Sequence, residues 1–233
     1  MVHALTPDEW TVLLLSLKVS LVAVASILPL CFLIAWALAR WRVPGRLLID
    51  ALVHLPLVLP PVVTGWLLLL LFGLHGPVGA WLADSLGITF MFRWTGAALA
   101  AAIMAVPLMV RAMRLSIEGI DRRLENAAAT LGASRPRIFL TIGLPLALPG
   151  VLAAIVLGFA RSLGEFGATI TFVSDVPGET RTLPIAIYAA MQTPGGEPMV
   201  TRFAILSVLL SLGALMLSEI LVRRAAGDRR HVL

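Results

Sequence analysis

The chain has 233 residues, of which 59% are hydrophobic and 13% are charged, against roughly 25% charged residues in ordinary soluble domains. This composition excludes a soluble globular domain and indicates an integral membrane protein. The net charge of +5 does not indicate nucleic-acid binding, because the arginines flank apolar runs, where basic residues set the orientation of a membrane protein.

Cysteine and histidine give no sign of a disulfide or a metal site. Cys31 is the single cysteine, so no internal disulfide can form, and it is most simply a small core residue. The four histidines stand far apart and lack the spacing of metal ligands; they are His3, His54, His75 and His231. We therefore expect no bound metal.

Five apolar runs are long enough to cross a membrane, whose hydrocarbon core of roughly 30 Å takes about 20 residues of helix. They predict an all-α integral membrane protein with one domain, residues 1–233, and five spans at about 11–39, 51–74, 94–113, 138–163 and 203–222. A further apolar stretch, Phe166 to Ser174, is too short to span. We expect it to be a bent or re-entrant continuation of the fourth span.

Prolines interrupt the second span. Pro56, Pro60 and Pro61 lack the backbone N–H that a helix uses, and Gly65 follows them, so this helix should kink. Such a kink serves either the packing of the helices or the lining of a translocation path. The residues alone leave both alternatives open.

The basic residues predict the orientation. Only Arg93, Arg181 and Arg202 lie on the opposite side of the predicted membrane from a large basic group, which comprises Arg40, Arg42, Arg46, Arg111, Arg114, Arg122, Arg123, Arg135, Arg137, Arg223, Arg224, Arg229 and Arg230. Because cytoplasmic loops carry the excess of Lys and Arg, we expect the N-terminus outside and the C-terminus in the cytoplasm.

A charged, helix-prone segment, residues 118–137, separates the third and fourth spans and faces the cytoplasm in this orientation. Asp121 suits the N-cap of a short helix, Gly132 suits the left-handed residue that ends it, and Ser134 with Pro136 can begin another. The helix has one shallow apolar stripe, formed by Leu124, Ala127, Ala128 and Leu131. Because so short a helix is marginal in water, we expect it to dock in a groove of a partner. An interfacial helix resting on lipid headgroups is the alternative.

Two charged residues fall in the outer part of the fourth span. Arg161 and Glu165 are four residues apart and share a face if the helix is continuous. Charges at membrane depth normally face protein or water. One alternative is a mutual ion pair that fixes the bend before Phe166. The other is a polar path for an oxyanion, which Ser162, Thr169 and Thr171 would also line.

The charged segment resembles the EAA loop of the membrane subunits of ABC importers. Gly132 is followed by nine residues and then by Ile142, Gly143, Leu144 and Pro145, as in that family's pattern. The pattern's glutamate position, six residues before the glycine, holds Asn126, and the acid is the preceding residue. The resemblance implies a cytoplasmic coupling helix that seats in a cleft of the ATP-hydrolysing subunit, with site residues Glu125, Asn126, Ala127, Ala128 and Gly132.

Three further stretches resemble molybdate ABC transporter permeases: HLPLVLPPVVTGWLLLLLFG (residues 54–73), FARSLGEFGATITFVSDVPGETRTLPIAIY (159–188) and QTPGGE (192–197). The Gly-Glu-Phe-Gly and Gly-Glu-Thr parts also resemble sulfate permeases, so molybdate is favoured over tungstate, sulfate or thiosulfate by the resemblance alone. The candidates for the translocation path are Pro60, Pro61, Thr64, Arg161, Ser162, Glu165, Thr169 and Thr171.

The resemblance also implies the assembly. It indicates the type I fold of ABC importer permeases and a homodimer in the bacterial cytoplasmic (inner) membrane. The expected partners are two ATP-binding cassette subunits, a periplasmic or extracellular oxyanion-binding protein and membrane lipid. The chain would bind no cofactor itself, since ATP and Mg would be used by the partner ATPase.

The sequence contains no ATPase motif of its own. A Walker A loop requires Gly-Lys-Ser/Thr, and the one lysine, Lys18, follows the apolar stretch TVLLLSL. No pattern of paired carboxylates, metal ligands or a nucleophile with a base appears, which argues against an enzyme. We therefore expect a transporter subunit, and the rival interpretation is a membrane scaffold or a membrane-embedded enzyme.

Overall fold

The computed structural model describes residues 6–41 and 44–227, apart from the side chains of residues 218, 219 and 221–227. Within these residues every regular element is helical: α1 (Pro7–Arg40), α2 (Arg46–Val58), α3 (Pro61–Phe72), α4 (Pro77–Leu86), α5 (Trp94–Glu118), α6 (Arg122–Thr130), α7 (Arg135–Ile138), α8 (Leu144–Leu163), α9 (Gly167–Val173), α10 (Leu183–Met191) and α11 (Glu197–Gly227). A π-helical turn, Phe139–Gly143, joins α7 to α8. Of the residues named above, His3, Arg42, Arg229, Arg230 and His231 lie outside the described residues.

The central helix of the bundle is α5, which packs extensively against both α1 and α8. Its buried residues are mostly small, including Gly96, Ala97, Ala98, Ala100, Ala101, Ala102 and Ala105. Small residues let helices approach closely, which matters where lipid removes the hydrophobic driving force for association. Gly158 of α8 illustrates this, since a Cβ atom there would lie 2.6 Å from the Met109 Sδ atom.

Four helical segments of the described chain are long and apolar enough to cross a membrane, and there are up to five crossings if one bent pair of helices is counted as a single span. The four are α1, α5, the continuous run Arg135–Leu163 and residues Glu197–Leu217 of α11. The bent pair consists of α2 and α3. The predicted all-α membrane architecture is confirmed, and each predicted span falls on one of these segments.

The second span is broken rather than merely kinked. The helix axis bends by 114° between α2 and α3, and Leu59 and Pro60 lie between the two helices. Pro61 is the first residue of α3, a position where the missing N–H of proline costs no helical hydrogen bond. Pro56 stays inside α2, so the adjacent prolines at 60 and 61 are the ones that stop the helix.

Contacts show that α2 and α3 together connect the two ends of α5. Arg114, near the end of α5, pairs with Asp50 of α2 at 2.7 Å. Phe72, at the end of α3, packs edge-on against Phe90, just before α5 begins. The bent pair therefore passes once from one end of the bundle to the other.

The fourth span also ends in a break. Helix α8 stops at Leu163 and the short α9 follows, packed so closely on α3 that a Cβ atom on Gly65 would lie 2.5 Å from the Ala168 carbonyl oxygen. The stretch from Phe166 to Ser174 thus follows the fourth span as a separate short helix, and its bent or re-entrant course stays a prediction.

The two ends of the bundle carry different residues. One end, which we call the basic end, holds α6 and the side chains of Arg40, Arg46 and Arg114. The opposite end holds the start of α1, the loop of residues 174–182 and α10.

Candidate functional site

The segment between α5 and α8 folds into a capped helix, a glycine turn and a second helix, as predicted. The Oδ1 atom of Asp121 accepts a hydrogen bond from the Arg123 N–H at 2.9 Å and so caps α6. Gly132 has a φ of +84°. Its N–H donates to the Ala129 carbonyl at 3.0 Å, and the next N–H donates to the Ala128 carbonyl at 3.1 Å. These two bonds form a Schellman motif, which satisfies the last carbonyls of the helix.

The apolar stripe of α6 is uncovered. No residue of this helix is buried, and the exposed fraction is 50% for Leu124 and 88% for Leu131. Asn126 and Ala127 are also exposed, and Ala128 is half-buried. A capped helix that presents leucines to solvent offers a surface for another protein to cover.

Glu125 points the other way, towards its own chain. Its Oε1 atom lies 3.1 Å from the Nη2 atom of Arg40, whose side chain is 8% exposed. The same guanidinium donates to the Ile120 carbonyl at 3.4 Å. The acid therefore ties α6 to the end of α1.

A second group of charges fixes α2 to the end of α5, just before the charged segment. The Arg114 guanidinium lies 2.7 Å from Asp50 Oδ1 and 2.8 Å from Glu118 Oε1. Glu118 also lies 3.5 Å from the guanidinium of Arg46. Two arginines and two carboxylates thus neutralise one another at the basic end and hold α2 against the end of α5.

The charged pair of the fourth span is an ion pair. Arg161 Nη1 lies 2.6 Å from Glu165 Oε2, and the other carboxylate oxygen accepts the Ala168 N–H at 2.8 Å in the first turn of α9. Glu165 is 3% exposed, whereas the Arg161 side chain is 24% exposed. The pair thus spans the break between α8 and α9. This is the arrangement predicted by the first of the two alternatives, a mutual ion pair before Phe166.

The other candidates for the translocation path differ in how deeply they are buried. Pro60 and Pro61 are exposed at the break between α2 and α3, and Thr171 is half-buried with its hydroxyl donating to the Gly167 carbonyl at 2.8 Å. Three candidates are buried within the protomer, namely Thr64, Ser162 and Thr169. Close packing of α3 on α9 encloses Thr64 and Thr169, while Ser162 faces α5, 3.5 Å from the Ala101 carbonyl oxygen.

The chain is similar to known membrane transport proteins over nearly its whole length. Residues 15–227 match the family described as "Binding-protein-dependent transport system inner membrane component". The chain belongs to this family of membrane transport components. The chain is 58% identical to the molybdenum transport system permease protein ModB of Escherichia coli (strain K12), over 94% of this chain and 96% of that protein. The sulfate transport system permease protein CysT of the same strain is 38% identical, over 86% of this chain and 71% of its own length.

A solved structure shares the fold of this transport component. It is that of a bacterial alginate ABC transporter in complex with an alginate pentasaccharide-bound periplasmic protein. The TM-score is 0.74 with 18% identity, covering 94% of this chain and 80% of that chain. The predicted fold of an ABC importer permease is therefore confirmed.

At the end of the transport component opposite the basic end, hydrogen bonds between polar side chains and the backbone tie the loop of residues 174–182 together. Arg181 forms a two-bond ion pair with Asp175 at 2.7 and 2.9 Å, and this hydrogen bonding raises the pKa of Arg181 above its ordinary value. The Thr180 hydroxyl donates to the Ser174 carbonyl and accepts the Val176 N–H, both at 2.8 Å. These contacts hold the loop beside a cavity of about 700 Å³.

Sequence reasoning missed the partners of the charged residues at both ends. The sequence identified Arg40 only as one of the basic residues that set the orientation, and it did not single out Asp50. In the structure each pairs with a residue far along the chain. Glu9, 1% exposed, likewise pairs with Arg202 at 2.9 Å. Spacing along one helix cannot reveal such pairs, because the partners lie on different helices. Among the described residues no cluster of His, Cys, Asp and Glu could hold a metal ion.

Proposed function

We propose that this chain is the membrane-spanning permease subunit of an ATP-driven importer and that its cargo is molybdate. The observation that carries the proposal is the near full-length match to a permease named for molybdenum transport. The lower identity to the permease named for sulfate transport favours molybdate over sulfate. Tungstate, another oxyanion of the same shape and charge, is the alternative cargo that the residues do not distinguish.

The energy would come from two ATP-binding cassette subunits that bind a homodimer of this chain. The support is the uncovered stripe of α6 together with the match to the EAA pattern around Gly132. In this assembly α6 seats in a cleft of the ATPase and transmits its closure to α5 and α8, between which the segment lies. Asn126 and Ala127 lie on the exposed surface, whereas Glu125 holds the helix to α1.

The orientation places the basic end in the cytoplasm and the loop of residues 174–182 outside, in the bacterial cytoplasmic (inner) membrane. An oxyanion-binding protein would deliver the cargo at that outer end. The fold neighbour supports this arrangement, because its structure contains a periplasmic protein on a related transporter.

The test is uptake of radiolabelled molybdate by vesicles that contain this chain, its ATPase and the binding protein. We expect ATP-dependent uptake that unlabelled tungstate competes strongly and sulfate competes weakly. If sulfate competed as well as molybdate, the cargo assignment would be wrong. If no Walker-bearing ATPase accompanied the chain on purification in mild detergent, the importer assignment itself would fail, in favour of a scaffold or a lone enzyme.

A further inference from the structure

A second cavity, of about 810 Å³, lies at the basic end between α1, α6 and α7. The stripe of α6 and the path candidates do not line it, whereas Glu125 and Asn126 of α6 do. One side of its lining is apolar and the other is basic; the apolar group is Phe32, Leu33, Trp36, Ile138 and Phe139, and the basic group is Arg40, Arg122 and Arg135. The cavity is therefore amphipathic.

The apolar side is built around aromatic rings. Trp36 packs edge-on against Phe139 with centroids 4.9 Å apart, and Phe32 lies 5.8 Å from Trp36. Gly143 makes room for this arrangement, since a Cβ atom there would lie 2.6 Å from the Trp36 Cη2 atom. Phe139 and Gly143 bound the π-helical turn, an irregularity that often marks a functional site.

The basic side has more positive charge than it neutralises. Arg40 is paired with Glu125, but Arg122 and Arg135 are exposed and pair with no carboxylate in the part of the chain that the structure describes. Guanidinium groups bind phosphate oxygens through parallel charge-assisted hydrogen bonds. The lining therefore suits a ligand with a phosphate at one end.

The position of the cavity beside the membrane spans indicates that the phosphate belongs to a lipid headgroup. Its apolar wall belongs to α1 and to the run Arg135–Leu163, both of which can cross a membrane. Arg40 and Arg135 lie at the ends of these spans, and Arg122 begins α6. Trp36 and Trp41 both line it, and tryptophan favours the level of the lipid headgroups. Basic pockets between spans on the cytoplasmic side are suited to anionic headgroups.

We propose that this cavity binds one anionic phospholipid, with the phosphate at Arg122 and Arg135 and the start of an acyl chain against Trp36 and Phe139. A free phosphate ion would leave the apolar half of the cavity unfilled, so the lipid is the better occupant. Since Arg122 begins α6 and Arg135 begins α7, the lipid would connect both helices to the membrane. This inference rests on the proposed orientation, with the basic end in the cytoplasm, and it does not depend on the cargo.

The experiment uses quenching of tryptophan fluorescence by brominated lipids in vesicles that contain the assembled complex. The signal is the part of the quenching that Trp36→Phe removes, because this substitution deletes the reporting ring and keeps an aromatic side chain. We expect brominated phosphatidylglycerol to quench this signal more than brominated phosphatidylcholine at equal mole fraction. In the double variant Arg122→Gln/Arg135→Gln this preference should be lost, because each basic residue near an anionic surface contributes to binding.

The matched control is Arg123→Gln/Arg137→Gln, which removes the same charge from neighbouring positions that do not line the cavity; it should keep the preference. If the glutamine variant did not fold, Arg122→Lys/Arg135→Lys keeps the charge and should keep most of the preference. The proposal is overturned if wild type shows no preference, which would mean that protein covers the cavity, or if the control loses the preference equally. It is also overturned if inorganic phosphate abolishes the preference where chloride of equal ionic strength does not, since the site would then bind a free anion.

Discussion

At the scale of single residues, Gly132 determines where the charged segment turns. Its left-handed backbone lets two N–H groups close the end of α6. No atom lies within 4 Å of the point where a Cβ atom would be placed. A side chain at this position therefore meets no obstacle, and its cost is purely conformational.

Gly132→Val should therefore strain the turn by on the order of 1–3 kcal/mol and misplace α6. We expect membrane insertion to survive while uptake and substrate-stimulated ATP hydrolysis fall several-fold. Gly132→Asn is the control, because asparagine visits the left-handed region more readily than other side chains, and it should retain most of the activity. Wild-type activity in the valine variant would rule out a coupling role for this turn.

Arg161 and Glu165 differ in burial, and this difference makes their substitutions unequal. Arg161→Gln leaves a carboxylate that is 3% exposed, whereas Glu165→Gln leaves a guanidinium that is partly hydrated. Breaking a buried ion pair costs roughly 3–5 kcal/mol, while replacing both partners is often nearly neutral. We expect the yield of folded protein to be lowest for Arg161→Gln, intermediate for Glu165→Gln and restored in the double variant.

The measurement is the yield on fluorescence-detected size exclusion, followed by uptake with the same samples. Glutamine at position 165 can still accept the Ala168 N–H, so the cap on α9 is kept throughout. Normal yield in both single variants would contradict the ion-pair role. If uptake were then lost only with Arg161→Gln, a polar path for the oxyanion would be the better account.

At the scale of elements, α6 has two functional sides. One side carries the salt bridge from Glu125 to Arg40, which fixes the helix to its own chain. The other carries the exposed leucines. Because the two sides are built from different residues, positioning and docking can be separated by substitution.

Leu131→Ser should weaken the hold of the ATPase, since this side chain is 88% exposed in the chain alone and burying a leucine contributes roughly 1.5–3 kcal/mol. We expect the ATPase to be lost from the purified complex. Leu86→Ser, at the opposite end of the bundle and 58% exposed, should leave co-purification unchanged. Glu125→Gln should also retain the ATPase while lowering uptake, and retention of the ATPase by the Leu131 variant would show that the stripe is not the docking surface.

At the scale of the whole molecule, the outer surface is covered with large apolar side chains. In the most apolar 18-residue stretch of Glu197–Leu217 only 6% of the residues are buried in the protomer, against 67% in the corresponding stretch of α5. Exposed leucines, valines and a tryptophan also follow α2 and α3. Such a surface is suited to lipid, and the second protomer of the proposed homodimer would cover part of it.

The orientation can be tested with single cysteines. With Cys31 replaced by alanine, we expect a cysteine at Asp8 to react with an impermeant maleimide in intact cells, and a cysteine at Ala226 to react only after the cells are permeabilised. The reason is that basic residues are retained in the cytoplasm during insertion. Labelling at 226 in intact cells would reverse the topology.

The membrane class, the approximate spans and the chemistry of the local turns could be predicted from the amino-acid sequence. Composition and run length suffice for the first two, because crossing hydrocarbon demands about 20 apolar residues. Asp121 and Gly132 were predictable because a cap and a left-handed turn act within a few residues. For the same reason the pair of Arg161 and Glu165, with the bend before Phe166, was one of the two predicted alternatives, since the two residues stand four apart in the chain.

The tertiary structure alone decided which helix faces meet. Arg40 with Glu125 and Asp50 with Arg114 come together only because α1, α2 and α5 pack as they do, and Thr64 becomes buried only because α3 lies on α9. The amphipathic cavity needs three separate elements. In a soluble helix the apolar stripe would reveal the inward face. In this protein lipid-facing and core-facing surfaces are equally apolar, so the sequence carries little periodic signal and small-residue packing makes the choice.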